Sequence, residues 1–413
     1  MAHLRRDVAL IFATRITRLA AYGLLSVVLV LYLSALGLSE ARIGLLLTLS
    51  LVGDVAVSLW MATSADRLGR RRMLAGGALL MVLAGAAFAL TRDFAVLALA
   101  ATLGVLSPSG NEIGPFLSIE QAALAQLLPD ERRTHVFAWY TLVGSFATAA
   151  GALGGGGLAQ LLRWQGLEPL PAYRGVLLAY LALGGLLTVL FLGLSPGVEP
   201  AAAPAPRARL LGLHRSRGVV LRLSALFALD AFAGGFVIQS LLAYWLHLRF
   251  GLDAAALGGV FFGANLLAGA SALLAARIAA RIGLIRTMVF THIPSNVLLA
   301  LVPLMPTAPL AVALLLLRFS ISQMDVPTRQ SYTMAVVAPD ERSAAAGITN
   351  IARSVGASAS PVLAGALLAN AALANLPLFL AGGLKIVYDL LLYRSFKGLA
   401  PPEERKPRAG ASA

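Results

Sequence analysis

Cysteine is absent from the 413 residues, which excludes disulfides, thiolate nucleophiles and cysteine-ligated metal sites. Charge is scarce as well, because Asp, Glu, Lys and Arg together make up only 13% of the chain. A soluble globular chain carries about 25% charged residues. Hydrophobic residues, in contrast, reach 59%. The composition therefore excludes a water-soluble enzyme and indicates a protein that lies in a membrane along most of its length.

Other chemistry is also missing from the sequence. Its five histidines are scattered, and neither a phosphate-binding loop nor a nucleophile-base pair is evident. We therefore expect no catalysis, no metal and no cofactor, and an ion gradient, with protons as the coupling ion, as the energy source. The net charge of +14 would suggest nucleic-acid binding in a soluble protein. Here we interpret the charges as orientation signals, and we expect a lipid environment and no nucleic-acid partner.

The apolar runs predict an all-α integral membrane protein with twelve transmembrane helices in two pseudo-symmetric six-helix bundles. A helix needs about 20 apolar residues to cross the hydrocarbon core, and twelve such runs are present. The predicted spans are 8–36, 43–63, 73–91, 94–127, 136–162 and 175–194 in the first half, and 220–248, 254–276, 287–305, 308–337, 343–372 and 376–396 in the second.

The basic residues give the orientation of these spans. If the N-terminus is cytoplasmic, 22 Lys and Arg residues fall in inner segments and five in outer segments, which satisfies the positive-inside rule. We therefore expect both termini in the cytoplasm. The predicted divisions are an N-terminal bundle (1–194), a cytoplasmic linker (195–218), a C-terminal bundle (219–398) and a tail (399–413). The excess of Arg over Lys indicates a GC-rich genome, so we expect the inner membrane of a bacterium. We also expect a monomer.

The two halves repeat each other weakly. The tetrapeptide Pro129-Asp130-Glu131-Arg132 recurs as Pro339-Asp340-Glu341-Arg342. Duplicated halves around a pseudo-two-fold axis are typical of secondary transporters, whose substrate site lies near the bilayer midplane between the repeats.

The loop between spans 2 and 3 carries the most specific motif. Its sequence Asp66-Arg67-Leu68-Gly69-Arg70-Arg71 matches the Asp-Arg-x-Gly-Arg-Arg pattern of the major facilitator superfamily, which the chain resembles over nearly its whole length. The resemblance implies a rocker-switch transporter. It also implies a latch that holds the outward-facing state, formed by Asp66, Arg67, Gly69 and Arg70. The rival interpretation is a solvated loop that serves topology alone.

Span 5 carries a second motif, Gly151-Ala152-Leu153-Gly154-Gly155-Gly156, in which Gly151, Gly155 and Gly156 are the candidate positions. It resembles the Gly-Pro-x-x-Gly-Gly motif of antiporters in the drug/proton branch of this superfamily, with Ala152 in place of Pro. Small residues allow two helix backbones to approach closely. Close packing without any effect on transport direction is the alternative.

Ionisable residues inside apolar spans are functional candidates, because a charge at bilayer depth is costly unless it is paired or hydrated. Asp54 and Asp230 have no basic partner on their own helices, and Glu112 lies in a Pro- and Gly-rich stretch of span 4. We predict these three as proton-coupling residues. The alternative for Asp54 is a hydrogen bond to a neighbouring helix or to Arg15.

The remaining polar residues of the spans are candidates for the substrate cavity. Span 10 places five of them on one helix face, and the pairs Asp325–Arg329 and Lys385–Asp389 could instead be structural at i, i+4 spacing. The predicted cavity residues are Arg18, Tyr22, Asn111, Glu112, Glu120, Arg318, Ser322, Asp325, Arg329 and Tyr332.

Export of a small organic molecule by proton antiport is the function that these features favour. Two alternatives remain open. One is symport uptake or exchange of an organic anion recognised by Arg18, Arg318 and Arg329. The other is a membrane receptor that uses the fold without transport.

Overall fold

The computed structural model describes residues 2–110, 116–128, 130–200, 214–338 and 341–399. Within these ranges the side chains of residues 2–4, 130–134 and 343 are not described. Two predicted site residues, Asn111 and Glu112, lie outside the described part of the chain.

The described residues form helices and connecting turns, and no strand occurs among them. The first half contains α1 (Ala2–Ala35), α2 (Glu40–Leu68), α3 (Arg70–Leu90), α4 (Phe94–Leu103), α5 (Phe116–Leu127), α6 (Asp130–Trp164) and α7 (Pro169–Leu192). The second half contains α8 (Arg217–Gly235), α9 (Gln239–Phe250), α10 (Ala254–Ile282), α11 (Leu284–Leu301), α12 (Ala308–Phe319), α13 (Asp325–Val336), α14 (Arg342–Leu368) and α15 (Leu376–Phe396).

These helices confirm the predicted all-α membrane fold. In the described ranges, ten segments are long and apolar enough to cross a membrane, and α8 and α9 together make one of them. The other two spans begin with the shorter apolar helices α4 and α12 and continue as α5 and α13. The ten long segments and these two interrupted spans make up the twelve predicted spans.

Three of the spans are interrupted near the middle of the bundle. Span 4 breaks between α4 and α5, as its prolines and glycines predict. Span 10 breaks between Phe319 and Asp325, so Pro327 lies in the first turn of α13, where its missing N–H costs no helical hydrogen bond. Span 7 breaks after Gly235, a break that the predicted continuous span 220–248 missed.

The two halves meet along two pairs of helices, α2 with α14 and α6 with α10. We call the end of the bundle where α7 leads into the linker the linker side, and the opposite end the far side. Hydrogen bonds between the halves lie from mid-depth to the far side in the described ranges. They join Gln239 to Ser26 (2.7 Å), Val362 to Thr48 (3.0 Å), Tyr244 to Glu40 (3.0 Å), Tyr244 to Ser34 (3.2 Å), and Ser240 to Pro108.

Small residues allow this close approach. A Cβ added at Gly156 would overlap the Ala254 carbonyl oxygen and lie 2.9 Å from the Gly258 Cα across the α6–α10 contact. Gly151 and Gly155 face α1 instead, against the backbones of Ala20 and Leu24. The glycine motif therefore packs α6 against a helix of its own half and against one of the other half.

Replacing Gly156 with Val should prevent the halves from closing on the far side, because the added carbons meet backbone atoms that cannot rotate away. Gly157→Val is the matched control, since nothing lies within 4 Å of a Cβ at that position. The chain has no cysteine, so Ser240→Cys, a position buried at the junction of the halves, can report closure by maleimide labelling. We expect faster labelling with Gly156→Val than with Gly157→Val, and equal rates would contradict this account of the contact.

Candidate functional site

A cavity of about 650 Å³ lies between the two halves at the level of the three helix breaks. Gly110, Ile238 and Gln323 contribute to its wall, one from each interrupted span. Irregular backbone at membrane depth is tolerated where it lines such a space. The helix breaks therefore place polar side chains and backbone on the cavity surface.

Charged and amide side chains dominate the polar part of the wall. The first half contributes Arg15, Asp54, Ser109, Thr141, Ser145 and Thr148. The second half contributes Asp230, Gln239, Asn265, Arg318, Gln323, Arg353, Ser354 and Lys385. Three of the predicted site residues, Asp54, Asp230 and Arg318, are therefore brought together.

Asp54 lies near the middle of α2, half-buried on the cavity wall. Its Oδ1 accepts a hydrogen bond from Ser58 at 3.2 Å, one helical turn along. The adjacent Gly53 allows the Thr102 backbone of α4 to pack directly against α2. This contact fixes the height at which the Asp54 carboxylate meets the cavity.

Asp230 differs from the expected partnerless acid. Its carboxylate lies 2.5 Å from Lys385 Nζ and 3.1 Å from Arg353 Nη1, with Arg329 Nη1 at 3.6 Å. The side chain is only 3% exposed. The partners come from α15, α14 and α13, which the sequence places 155, 123 and 99 residues away, so no spacing rule on α8 could have indicated them.

A second layer supports this cluster. His292 on α11 lies 4.0 Å from Asp230 through Nε2 and bonds Asp389 Oδ1 at 2.9 Å through Nδ1. Asn296 Nδ2 donates to the other Asp389 oxygen at 3.2 Å. The predicted Lys385–Asp389 pair is therefore wrong: each of the two residues turns to a different helix, where a buried partner satisfies it better than its neighbour on α15 does.

Only part of the predicted span 10 stripe reaches the cavity. Asp325 and Arg329 do form the i, i+4 pair, at 2.7 Å, but they are buried behind the cavity wall. The break between α12 and α13 turns Ser322 to the Phe319 carbonyl oxygen. Tyr332 packs in the apolar core toward the linker side and donates to the Leu399 carbonyl oxygen at 2.9 Å. These four residues do not line the cavity of this structure, and Arg318 is the member of the stripe that does.

Three first-half candidates also lie away from the cavity. Arg18 makes two hydrogen bonds to Glu120, at 2.9 and 2.8 Å, and both side chains are fully buried. Thr14 and Tyr140 donate to the same carboxylate. Tyr22 on α1 is fully buried in the hydrophobic core. The predicted cavity role of Arg18, Tyr22 and Glu120 is therefore not supported by their positions.

The predicted latch residues form a contact on the linker side. Arg70 Nε donates to Asp66 Oδ1 at 2.8 Å, and Arg70 Nη1 donates to Gln126 on α5 at 3.0 Å. Gly69 adopts φ +97°, a conformation that favours glycine and starts α3 immediately after α2. Arg67 is exposed beside this contact.

Glutamates anchor both described ends of the linker. Glu199 accepts the backbone N–H groups of Arg70 and Arg71, at 2.7 and 3.2 Å, at the positive N-terminus of α3. Glu341 accepts the backbone N–H groups of residues 214–216 just before α8. These bonds, the one from His214 first, lower the pKa of Glu341 to about 2. The linker ends are thus tied to opposite halves.

Some site residues were missed by the sequence reasoning. Gln239, Asn265 and Gln323 line the cavity, and Asn265 donates to Gln239 at 3.3 Å. His292 belongs to the Asp230 cluster. A rule that treats every polar or ionisable residue inside an apolar span as a candidate would have found all four.

A model of the Major Facilitator Superfamily matches residues 11–361. The chain belongs to this superfamily. An uncharacterized membrane protein of Saccharomyces cerevisiae is 32% identical over 425 aligned positions, which cover 95% of each chain.

Solved superfamily structures share the fold at low sequence identity. A nucleoside transporter aligns with a TM-score of 0.74 and 14% identity over 96% of this chain and 100% of that one. A bacterial homolog of the human lysosomal transporter Spinster, inward-facing and unoccupied, gives 0.72 and 15% over 98% and 99%. The human organic anion transporter MFSD10 gives 0.63 and 19% over 94% and 99%. This Major Facilitator Superfamily member is therefore a multi-pass membrane transporter of solutes and not an enzyme.

Asp230→Asn should destabilise the second half, because it leaves the buried Lys385 and the half-buried Arg353 without their counter-charge. Breaking a buried ion pair from one side costs about 3 kcal/mol or more. We expect a clearly lower thermal unfolding midpoint in detergent. The double variant Asp230→Asn, Lys385→Gln removes one charge of each sign and should recover part of that loss. An unchanged midpoint for Asp230→Asn would contradict the structural role of the cluster.

Proposed function

We propose that this transporter couples solute movement to a proton gradient and that Asp54 carries the proton. The observation that supports the proposal is the position of the Asp54 carboxylate, half-buried on the cavity wall between the halves. A carboxylate in such a place can exchange a proton with water while the cavity is open and carry it when the halves rock. Asp54 also lies on α2, one of the helices that form the contact between the halves.

Asp230 is the weaker proton carrier. Three cationic side chains lie within 4.0 Å of its carboxylate and stabilise the ionised form. A group that must gain and lose a proton in each cycle needs a finer balance. Glu112, outside the described residues, stays a predicted coupling residue.

The linker side is proposed to face the cytoplasm. The inner segments of the sequence carry the excess of Lys and Arg, including Arg70 and Arg71 beside the latch. Both termini would then be cytoplasmic, in the inner membrane of a bacterium, with the monomer as the working unit. The hydrogen bonds between the halves, which lie from mid-depth to the far side, give an inward-facing state in this orientation.

The direction of coupling depends on the charge of the solute. A cationic solute competes with the proton for Asp54, and competition produces antiport and export, as the glycine motif of α6 suggested. An anionic solute binds more favourably once Asp54 is protonated, and this produces symport. A receptor without transport would bind its ligand and show no flux across a sealed vesicle.

The latch is proposed to include the start of the linker. Asp66, Arg70 and Glu199 form one contact in which Glu199 holds the N-terminus of α3 and Arg70 also reaches the Val198 carbonyl oxygen at 3.2 Å. Movement of the halves would pull on the linker, and this contact transmits the pull to the α2–α3 loop.

Asp54→Asn should abolish proton coupling while solute binding persists, because the amide has the shape of the carboxyl group but does not titrate. The measurement is solute-dependent pH change inside proteoliposomes, read with an entrapped dye. Asp54→Glu should keep coupling.

Asp93→Asn is the matched control, because Asp93 is an exposed N-cap of α4 and Asn caps helices equally well. We expect it to couple normally. Full coupling in Asp54→Asn would refute the assignment of the proton to Asp54.

Glu199→Gln should slow transport more than it weakens solute binding, because the carboxylate that holds the α3 N-terminus lies far from the cavity. The measurement is the initial transport rate in proteoliposomes beside the binding constant in detergent. Glu168→Gln, in a side chain that is 86% exposed on the far side, is the control. Equal effects of the two variants would show that the linker contact has no part in the cycle.

A further inference from the structure

Among the described residues of the cavity wall, the Arg318 guanidinium has no hydrogen bond or salt bridge to the protein. Arg318 lies in the last turn of α12 and lines the cavity. Its Nε is buried without an acceptor, and among the described residues the side chain has no hydrogen bond or salt bridge. Its one ring contact is with the adjacent Phe319, at 4.9 Å. Asp325, whose carboxylate bonds Arg329, attracts this charge from beyond salt-bridge distance. A desolvated cation without a bonded counter-anion is costly in a membrane protein unless an anion visits the site.

The other charges of the cavity do not supply that anion. Among the described residues, four basic side chains line the wall, Arg15, Arg318, Arg353 and Lys385, against two acids. Of the acids, Asp230 is already bonded to Lys385 and Arg353. The lining groups therefore sum to a positive charge, even with Asp54 ionised.

The uncharged polar groups of the wall indicate which groups the ligand carries besides its negative charge. Gln239, Asn265 and Gln323 present amide groups that can donate and accept hydrogen bonds, and Ser145 and Thr141 face them from α6. Amide and hydroxyl groups of this kind recognise hydroxyl groups on a ligand. A volume of about 650 Å³ accommodates a small organic molecule.

We infer that the transported solute is a small hydroxylated organic anion, a carboxylate or phosphate ester, held by Arg318 and taken up together with a proton on Asp54. This inference rests on the proposed proton coupling. The proton removes one of the two negative charges lining the cavity, so the anion binds more tightly to the protonated form. The sign of coupling is therefore symport rather than antiport.

The charged groups around Asp54 fit this coupling. Among the helices packed against α2, α1 carries Arg15 and α14 carries Arg353. Glu120 on α5 is bonded to Arg18, and Arg70 to Arg72 lie on α3 at the linker side. Helix α4 has no charged residue. Asp230, Arg318 and Lys385 face it across the cavity. Among the described residues, Asp54 and Asp230 are the acids of the cavity wall, and Asp230 is bonded to Lys385 and Arg353. Protonation of Asp54 would therefore make the described wall more positive.

The first experiment measures charge preference with matched ligands on the purified full chain in neutral detergent. The probes are gluconate, glucose and glucosamine, which share a carbon skeleton and differ in charge, with glucose 6-phosphate as the phosphate arm. A second set is 3-phenylpropionate, 3-phenylpropanol and 3-phenylpropylamine, which tests apolar ligands. We expect the anion to bind at least about 10-fold more tightly than its neutral partner in the hydroxylated set, the value of a charged hydrogen bond.

Arg318→Gln should remove that preference, and Arg318→Lys should restore part of it. Arg92→Gln, an exposed arginine outside the cavity, is the control and should leave the charge preference unchanged.

Anion binding to the unmodified protein should tighten as the pH falls and Asp54 gains its proton. Asp54→Asn should bind the anion tightly at every pH. If Arg318 serves only the C-terminal dipole of α12, Arg318→Gln will leave every binding constant unchanged, and the inference is overturned.

Proteoliposome transport separates the two proposals. Proton entry together with the anion supports both. Preference for glucose or glucosamine, or no binding of any probe, overturns the anion inference, and proton-driven flux of glucose or glucosamine would still support coupling through Asp54. Anion flux that depends on Arg318 without any proton movement keeps the anion site and refutes proton coupling.

Discussion

One carboxylate organises the second half of the transporter. Asp230 on α8 lies within 4.0 Å of basic side chains from α11, α13, α14 and α15, so a single buried charge fixes the relative positions of five helices. Buried charges are retained only when their partners are held in good geometry. The first half has a smaller counterpart in Arg18 and Glu120, which join α1 to α5. Each half is thus a unit whose internal ion pairs oppose deformation.

The contact between the halves has a different chemistry. Gly156 meets Gly258 and Gly44 meets Gly365, so backbones touch where α6 crosses α10 and where α2 crosses α14. The hydrogen bonds there are between neutral groups or involve one half-buried acid, Glu40, and no ion pair joins the halves within the described ranges. Such a contact can separate without exposing a buried charge. Strong ion pairs within the halves and weak polar contacts between them are what rigid-body rocking requires.

The sequence predicted what depends on local spacing. The lengths of the apolar runs predicted the twelve spans, and the i, i+4 spacing predicted the Asp325–Arg329 pair. The same spacing gave the wrong pair for Lys385 and Asp389, because a residue on a helix can also turn to another helix. The true partner of Lys385 lies 155 residues earlier, at Asp230. Periodicity identifies which side chains share a face, but only packing decides what that face meets.

Two of the intramembrane arginines show what helix packing adds to the sequence. Both Arg18 and Arg318 lie in apolar spans, and the sequence treats them alike. In the structure Arg18 is fully buried and donates hydrogen bonds to both carboxylate oxygens of Glu120. Its charge is therefore satisfied in every conformation that keeps the first half intact. Arg318 makes no salt bridge among the described residues and lies on the wall of the cavity between the halves. What separates the two arginines is whether another helix supplies a bonded carboxylate, and only the packing of the helices decides that.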